Sequence, residues 1–235
     1  MLEISSLRGD GMQNTLGIYA DRKEEINFYF SIMVDLDKNS QNIKTINNNK
    51  FYKIIKSNFL LMLYNLVEAC IVSGMMEIYE NLKNDDCSYN SVIKEIQLLW
   101  SNYKINEIYG PATGRSAYEN RVQQIIDSII KNSPLILTKD SLGINGNLDA
   151  RKIKYICDKH KIRYTLKNDG ASLEIVKKRR NDLAHGDVSF SECARDLPID
   201  DLEKIMDEVL IFSDDILQGM KRYYDGKMYR ISQPS

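Results

Sequence analysis

Apolar residues recur at helical spacing over most of the chain, and the pattern predicts about seven helices. The first begins near Asp21, whose spacing to Glu24 suits a capping box, and the second runs from about Phe51 to Leu82. The second is apolar almost all round at its middle, which is typical of the central helix of a bundle. The other predicted helices cover 91–108, 116–133, 149–160, 170–185 and 198–222, with loops at 39–49 and 186–197.

Little of the chain has the alternating pattern of a strand, so we expect an all-α protein built as one helical bundle. Four prolines and twelve glycines are few for 235 residues, which favours long helices. Short extended runs predict at most a minor β element near 135–166. We expect an N-terminal arm over 1–19, a single helical domain over 20–222 and a loose C-terminal tail over 223–235.

The composition indicates a folded protein of the cytoplasm. Hydrophobic residues make up 43% of the chain, and the net charge of −1 means that any affinity for nucleic acid must come from a local patch. Four widely spaced cysteines and two histidines form no zinc signature, so we expect reduced thiols, no metal and no cofactor. The N-terminus lacks the features of a signal peptide, and Asn65 and Glu68 interrupt the apolar run Phe59–Met76, so we expect no membrane span.

The stretch Lys177–Gly186 has the most informative chemistry. On the sixth predicted helix Arg180 lies in the middle of the apolar face, where a permanently charged guanidinium needs a partner or an anionic ligand. His185 follows five positions later, next to the helix stop that Gly186 provides. Metal-free cleavage of RNA needs a base for the ribose 2′-OH and a cation for the phosphorane charge. Histidine and arginine suit these two tasks.

Helical spacing also determines how these groups can meet. Lys177, Asn181 and His185 lie at i, i+4 and i+8, so a phosphate contact, an amide and a base share one helix flank. Arg180 and His185 are about 140° apart on a straight helix, so one copy focuses poorly on a single phosphate. Two copies that meet across a two-fold axis would solve this problem, and we therefore expect a homodimer with the site at its interface.

Arg180 and the two histidines also have plainer interpretations that the sequence leaves open. Arg180 can be a core arginine bound to a carboxylate, for which Glu68 on the central helix is the obvious partner, in a purely structural helical protein. His185 can simply end the helix. His160 is expected at the end of the fifth helix, where a cation suits the helix dipole.

The basic run that precedes Arg180 has two interpretations of equal standing. Lys177, Lys178 and Arg179 can form a patch that contacts the phosphate backbone of RNA. They can instead form a solvated helix face, with Glu174 and Lys178 as an i, i+4 ion pair.

The residues also resemble a known family. The motif Arg180-Asn181-x3-His185 resembles the Arg-x4–6-His motif of the HEPN superfamily, in which a polar residue usually follows the arginine. Longer segments are similar to a branch of large bacterial HEPN proteins from toxin–antitoxin and phage-defence gene neighbourhoods, and the likeness extends from about Asp21 to about Leu217. These segments are Lys56–Ile71, Gly146–Ile162 and Lys178–Asp196.

The resemblance implies an α-helical bundle that dimerises, with the two motifs facing each other in a cleft. It also implies metal-independent endoribonuclease activity that leaves a 2′,3′-cyclic phosphate. Arg180 would bind the phosphate, His185 would act as base or acid, and Asn181 would orient them. Because the chain exceeds the core HEPN bundle in length, we expect the segment 110–163 to be an insertion. The alternative is a catalytically silent HEPN module that binds RNA or a partner protein, such as an antitoxin or the product of a neighbouring gene.

Overall fold

The computed structural model describes residues 11–40, 46–108, 115–144 and 146–231. Within these ranges it contains eight α-helices, two short 3-10 helices and no strand, which confirms the predicted all-α class. The 3-10 helices cover Tyr89–Ser91 and Lys139–Leu142. The α-helices are α1 (Gln13–Ser40), α2 (Ile46–Asn84), α3 (Lys94–Ile108), α4 (Arg115–Ile130), α5 (Ala150–His160), α6 (Ser172–His185), α7 (Phe190–Cys193) and α8 (Ile199–Asp225).

Helix α2 is the central element of the bundle, as its apolar pattern predicts. It packs against α1, α6, α7 and α8, so its side chains are buried on several sides. It begins at Ile46, inside the loop predicted over 39–49, of which residues 41–45 lie outside the described ranges. Among the described helices, α2 alone is long and apolar enough to span a membrane by length and composition. Its burial by four neighbouring helices is that of a core helix, consistent with a soluble protein.

Helix α1 begins at Gln13, before the capping box predicted at Asp21. A contact with α2 fixes this early start, because the backbone N–H of Thr15 donates to Glu77 Oε1 over 2.7 Å and its hydroxyl donates to the same oxygen. The predicted N-terminal arm is therefore wrong from Gln13 onward. Its first ten residues lie outside the described ranges.

The chain after α8 packs against the bundle. Tyr229 is fully buried, and its hydroxyl donates to Asp85 Oδ2 over 2.6 Å. The carbonyl of Tyr229 accepts the backbone N–H of Ile93 over 2.9 Å. The prediction of a loose tail over 223–235 is therefore wrong up to Ile231, because these contacts anchor the segment to the end of α2 and the start of α3.

The minor β element predicted near 135–166 does not form: the described residues of this region contain extended segments but no strand. Leu135 donates its N–H to the carbonyl of Cys87 over 2.7 Å, and Ser88 and Pro134 form an isolated bridge beside it. One residue pair is too short for a strand, because a ladder needs consecutive pairs. The predicted insertion, 110–163, contains α4 and α5, of which α5 packs on α3, and its status as an insertion stays a prediction.

Candidate functional site

Helix α6 carries the candidate motif, and both of its ends are fixed by specific contacts. Gly170 has φ +75°, and a Cβ there would lie 2.7 Å from the ring of Phe212 on α8, so only glycine allows this turn. Glu208 of α8 accepts the N–H of Ser172 over 3.1 Å and its hydroxyl over 2.6 Å, which places a carboxylate at the positive end of α6. Gly186, at φ +76°, ends the helix as the sequence predicts.

The guanidinium of Arg180 is half-buried and stacks on an aromatic ring. It lies over the ring of Tyr64, 4.7 Å from the centroid, and Nη1 donates to Asn181 Oδ1 over 3.0 Å. Within the described ranges it has no carboxylate partner. The alternative partner that the sequence offers, Glu68, forms no ion pair with Arg180 in the described structure, and the guanidinium instead packs on the ring of Tyr64, one turn earlier on α2. Arg180 thus keeps N–H donors available for an anion.

A short loop before α5 holds the surroundings of Arg180 in place. The buried hydroxyl of Tyr64 donates to the carbonyl of Gly146 over 2.6 Å and accepts the N–H of Leu148 over 3.2 Å. Asn181 donates from Nδ2 to Asn147 Oδ1 over 2.7 Å. These bonds orient the amide of Asn181 and connect three distant parts of the chain at one place.

Lys177 forms a structural ion pair rather than an open contact point. Its Nζ donates to Asp149 Oδ2 over 2.7 Å and to Glu174 Oε2 over 2.9 Å. Asp149 also accepts the N–H of Lys152 over 2.8 Å and so caps α5. Burial alone would raise the pKa of Asp149. The hydrogen bonds from Lys177 and Lys152 outweigh burial and lower the pKa to about 2. The pair therefore joins α6 to the start of α5.

The other two members of the basic run differ from each other. Arg179 donates to Asp196 Oδ2 over 2.7 Å, so its charge is already paired. Lys178 is exposed and forms no ion pair within the part of the chain that the structure describes. The predicted pair between Glu174 and Lys178 is wrong, because Glu174 binds Lys177 instead. Lys178 is the member of this run that remains free to contact a phosphate.

His185 is the last residue of α6 and is exposed to solvent. Its imidazole has no hydrogen-bond partner among the described residues. Five residues along α6 separate it from Arg180, which corresponds to about 140° around the helix axis. One copy of the chain therefore presents the imidazole and the guanidinium on different sides of α6.

Other titratable groups that the sequence raises are core residues. His160 ends α5 as predicted, but it is buried, with Nε2 2.7 Å from the hydroxyl of Tyr79 and Nδ1 2.7 Å from the carbonyl of Ile156. Burial lowers its pKa to about 4, so the interpretation as a cation at the helix end is wrong. The four cysteines are buried free thiols.

Tyr64 and Asn147 contact the site, although no sequence pattern marks either residue individually. Both lie in segments that resemble HEPN proteins, Tyr64 within Lys56–Ile71 and Asn147 within Gly146–Ile162. The third such segment contains Arg180 and Asn181. The fold brings these three segments together at one site. The resemblance of all three segments to HEPN proteins is therefore the sequence feature from which Tyr64 and Asn147 could have been identified.

Comparison with known families matches residues 18–229 to the MAE_28990-like HEPN family. No curated protein and no solved structure matches the chain. The match covers the helices of the bundle from α1 to the end of α8, including the motif on α6. The chain therefore belongs to the MAE_28990-like HEPN family, which points to an RNA-related or defence role.

Proposed function

We propose that this protein is a metal-independent endoribonuclease of the toxin or antiphage type that acts in the cytoplasm as a homodimer. The observation that carries the proposal is the guanidinium of Arg180, which is half-buried, stacked on Tyr64 and without a carboxylate among the described residues. A half-buried arginine in this state is prepared for an anion, and its planar fork matches the oxygens of a phosphodiester.

The reaction uses the ribose 2′-OH as the nucleophile. His185 removes the proton from this hydroxyl, the 2′-oxygen attacks the phosphorus, and the bond between phosphorus and the 5′-oxygen breaks. Arg180 binds the phosphoryl oxygens, whose negative charge grows in the phosphorane. The 5′-oxygen leaves with a proton, and the products are a 2′,3′-cyclic phosphate and a free 5′-hydroxyl. Asn181, held by Asn147, orients the guanidinium of Arg180 through their shared hydrogen bond.

The homodimer follows from the separation of the two groups on α6. Arg180 and His185 are about 140° apart around the helix axis, so one copy cannot easily present both to the same phosphate. In a two-fold arrangement the arginine and histidine of two copies converge, and the second copy's imidazole can protonate the leaving oxygen. Lys178 is exposed beside this motif and supplies a contact to the backbone of the RNA.

The test is cleavage of RNA by the purified protein in EDTA, with analysis of the product ends. We expect cyclic-phosphate ends from the wild type and a rate at least about 100-fold lower for His185→Ala, since a positioned acid–base group contributes roughly 10²–10⁴-fold. Arg180→Lys should also lose cleavage, because lysine keeps the charge and loses the fork. Full activity of His185→Ala would contradict the assignment.

Control variants separate chemistry from folding and from general charge. Lys204→Ala removes a cation of α8 whose side chain is 78% exposed and whose ion-pair partner, Asp201, lies on the same helix, and it should cleave as the wild type does. His185→Ala should keep the helical circular dichroism of the wild type and the same elution volume on size exclusion. A variant that loses both cleavage and dimerisation would report on assembly and not on the base.

A second function, a catalytically silent HEPN module that binds RNA or a partner protein, is favoured by the ion pairs on α6. Lys177 and Arg179 are paired with carboxylates of the same chain, which leaves Lys178 as the free cation of the basic run in the described structure. A stable complex with the product of a neighbouring gene, such as an antitoxin, combined with no cleavage by the isolated protein, would support this function.

A further inference from the structure

A second cationic surface lies far from the α6 motif. The chain forms a cleft of about 740 Å³ where the connection after α5 and the end of α8 approach the start of α3. Asp85, which directly follows the last residue of α2, contacts this region. It lies 21 positions after Tyr64, which corresponds to about 32 Å along the helix. We call this surface the basic cleft, and its cations are Lys161, Arg163, Arg222, Lys227 and Arg230.

Close packing of the backbone builds the basic cleft. A Cβ at Gly219 would lie 2.7 Å from the carbonyl oxygen of Arg163, so glycine lets the connection after α5 lie directly on α8. Arg222 follows Gly219 by one turn of α8 and lines the same cleft. On the other wall, Ile231 donates its N–H to the carbonyl of Ser91 over 3.1 Å, which anchors the segment after α8.

Three of the five cations have carboxylate partners. Lys161 lies 3.1 Å from Glu95, while Lys227 and Arg230 lie 2.5 Å and 3.4 Å from the two oxygens of Asp85. Neither carboxylate lines the cleft, whose lining contains five basic residues and no acidic one. The five positive charges of the cleft are therefore offset by only two negative charges, those of Glu95 and Asp85.

The remaining two cations are available to a ligand. Arg163 and Arg222 are exposed, and neither has an ion-pair partner in the described part of the chain. The whole chain has a net charge of −1, so this local excess of positive charge is compensated elsewhere on the molecule. Exposed Met228 and Ile231 add apolar surface to the same cleft.

We propose that the basic cleft binds the phosphate backbone of an RNA strand, at a distance from the α6 motif. The proposal rests on the proposed function, because the RNA is taken to be the substrate of that motif. Two unpaired guanidinium forks that line one cleft suit phosphate oxygens, which they can bind through two hydrogen bonds each. The apolar side chains of Met228 and Ile231 can pack against the sugars and bases that accompany a single-stranded backbone.

The test measures RNA binding in a His185→Ala background, so that the RNA stays intact. Fluorescence anisotropy of a labelled single strand of about 20 nucleotides, recorded between 50 and 200 mM salt, gives the slope of log K against log salt. Arg163→Gln combined with Arg222→Gln should weaken binding and reduce the magnitude of that slope by about 1.4, since each phosphate contact on a single strand contributes roughly 0.7. Unlabelled polyglutamate of equal charge serves as a competitor.

The matched control is Lys131→Gln combined with Lys204→Gln, which removes the same charge at side chains that are 70% and 78% exposed. It should leave the slope unchanged. Equal slopes for the cleft variant and its parent, or an equal loss in the control, would overturn the proposal. Displacement of the RNA by polyglutamate as efficiently as by unlabelled RNA would also overturn it, because the cleft would then recognise negative charge in general.

The result does not depend on whether the α6 motif is catalytic. If the wild type fails to cleave RNA in EDTA, the endoribonuclease assignment fails, while a lower slope for the cleft variant still supports the basic cleft. If cleavage occurs and the cleft variant binds with an unchanged slope, the basic cleft fails alone. With His185 intact, the cleft variant should cleave a dinucleotide as the wild type does and a longer RNA more slowly.

Discussion

Replacing Asp149 by Asn tests the ion pair that joins α6 to α5. The side chain of Asp149 is 10% exposed, and it accepts hydrogen bonds from Lys177 Nζ and the N–H of Lys152. Asparagine has nearly the same shape and is an equally good N-cap, so the helix cap survives and the charge is lost. The variant therefore isolates the charge of Asp149, whose main partner is the ammonium group of Lys177 and whose second partner is the exposed Arg151, 3.5 Å away.

The magnitude follows from the pKa of Asp149, which falls from 3.8 to about 2 in the folded protein. A shift of this size corresponds to about 2.4 kcal/mol of stability at pH 7, because one pKa unit is worth about 1.36 kcal/mol. A depressed carboxyl pKa stabilises the fold above the unfolded pKa, and the contribution is lost as the pH falls through the folded pKa. At pH 3 the contribution should have dropped to roughly half of its value at pH 7.

Urea unfolding followed by circular dichroism measures the difference between wild type and Asp149→Asn at both pH values. We expect the variant to be about 2 kcal/mol less stable at pH 7 and the gap to narrow at pH 3. Lys177→Met in a double-mutant cycle should show coupling with Asp149. The reasoning would be refuted if Asp149→Asn lowered the free energy of unfolding by less than about 0.5 kcal/mol at pH 7, or if the difference from wild type did not narrow at pH 3. Either result is expected for a carboxylate that has no partner in the folded protein.

Two further predictions concern buried polar groups. Tyr64→Phe should cost about 1–3 kcal/mol in urea unfolding, because the carbonyl of Gly146 and the N–H of Leu148 lose their buried partner, while the ring under Arg180 remains; unchanged stability would show that these groups find other partners. The thermal stability of the wild type should fall as the pH is lowered from 6.5 towards 4. Burial depresses the pKa of His160 to about 4, so the unfolded chain binds a proton that the folded chain does not. His160→Gln should remove this dependence between pH 7 and pH 5, and a variant that retained it would assign the dependence to another group.

The parts of the fold that sequence patterns predict are those determined by local periodicity. Helix α2 follows from its apolar run, and the end of α6 follows from Gly186. The errors occur where a distant contact decides. Thr15 bonds Glu77, 62 positions away, and so extends α1, while Tyr229 bonds Asp85, 144 positions away, and so orders the end of the chain. Periodicity contains no information about such pairs.

The same distinction applies to the candidate site. The position of Arg180 on an apolar face marks it as unusual from the sequence alone, but its partner depends on three-dimensional geometry. Tyr64 and Glu68 are one turn apart on α2, so a sequence pattern cannot decide which of them meets the guanidinium. The loop that contains Asn147 decides it, because this loop bonds both the hydroxyl of Tyr64 and the amide of Asn181.

The ion pairs along α6 separate its structural cations from those available to a ligand. Lys177 and Arg179 are held by Asp149 and Asp196, so their charges stabilise contacts between α6 and its neighbours. Arg180 and Lys178 lack such partners in the described structure. If α6 served only to pack against its neighbours, an apolar residue at position 180 would be more stable, because a half-buried guanidinium without a carboxylate has a desolvation cost. The retained charge, at the position that corresponds to the arginine of the HEPN motif, supports the proposal that an anionic ligand binds there.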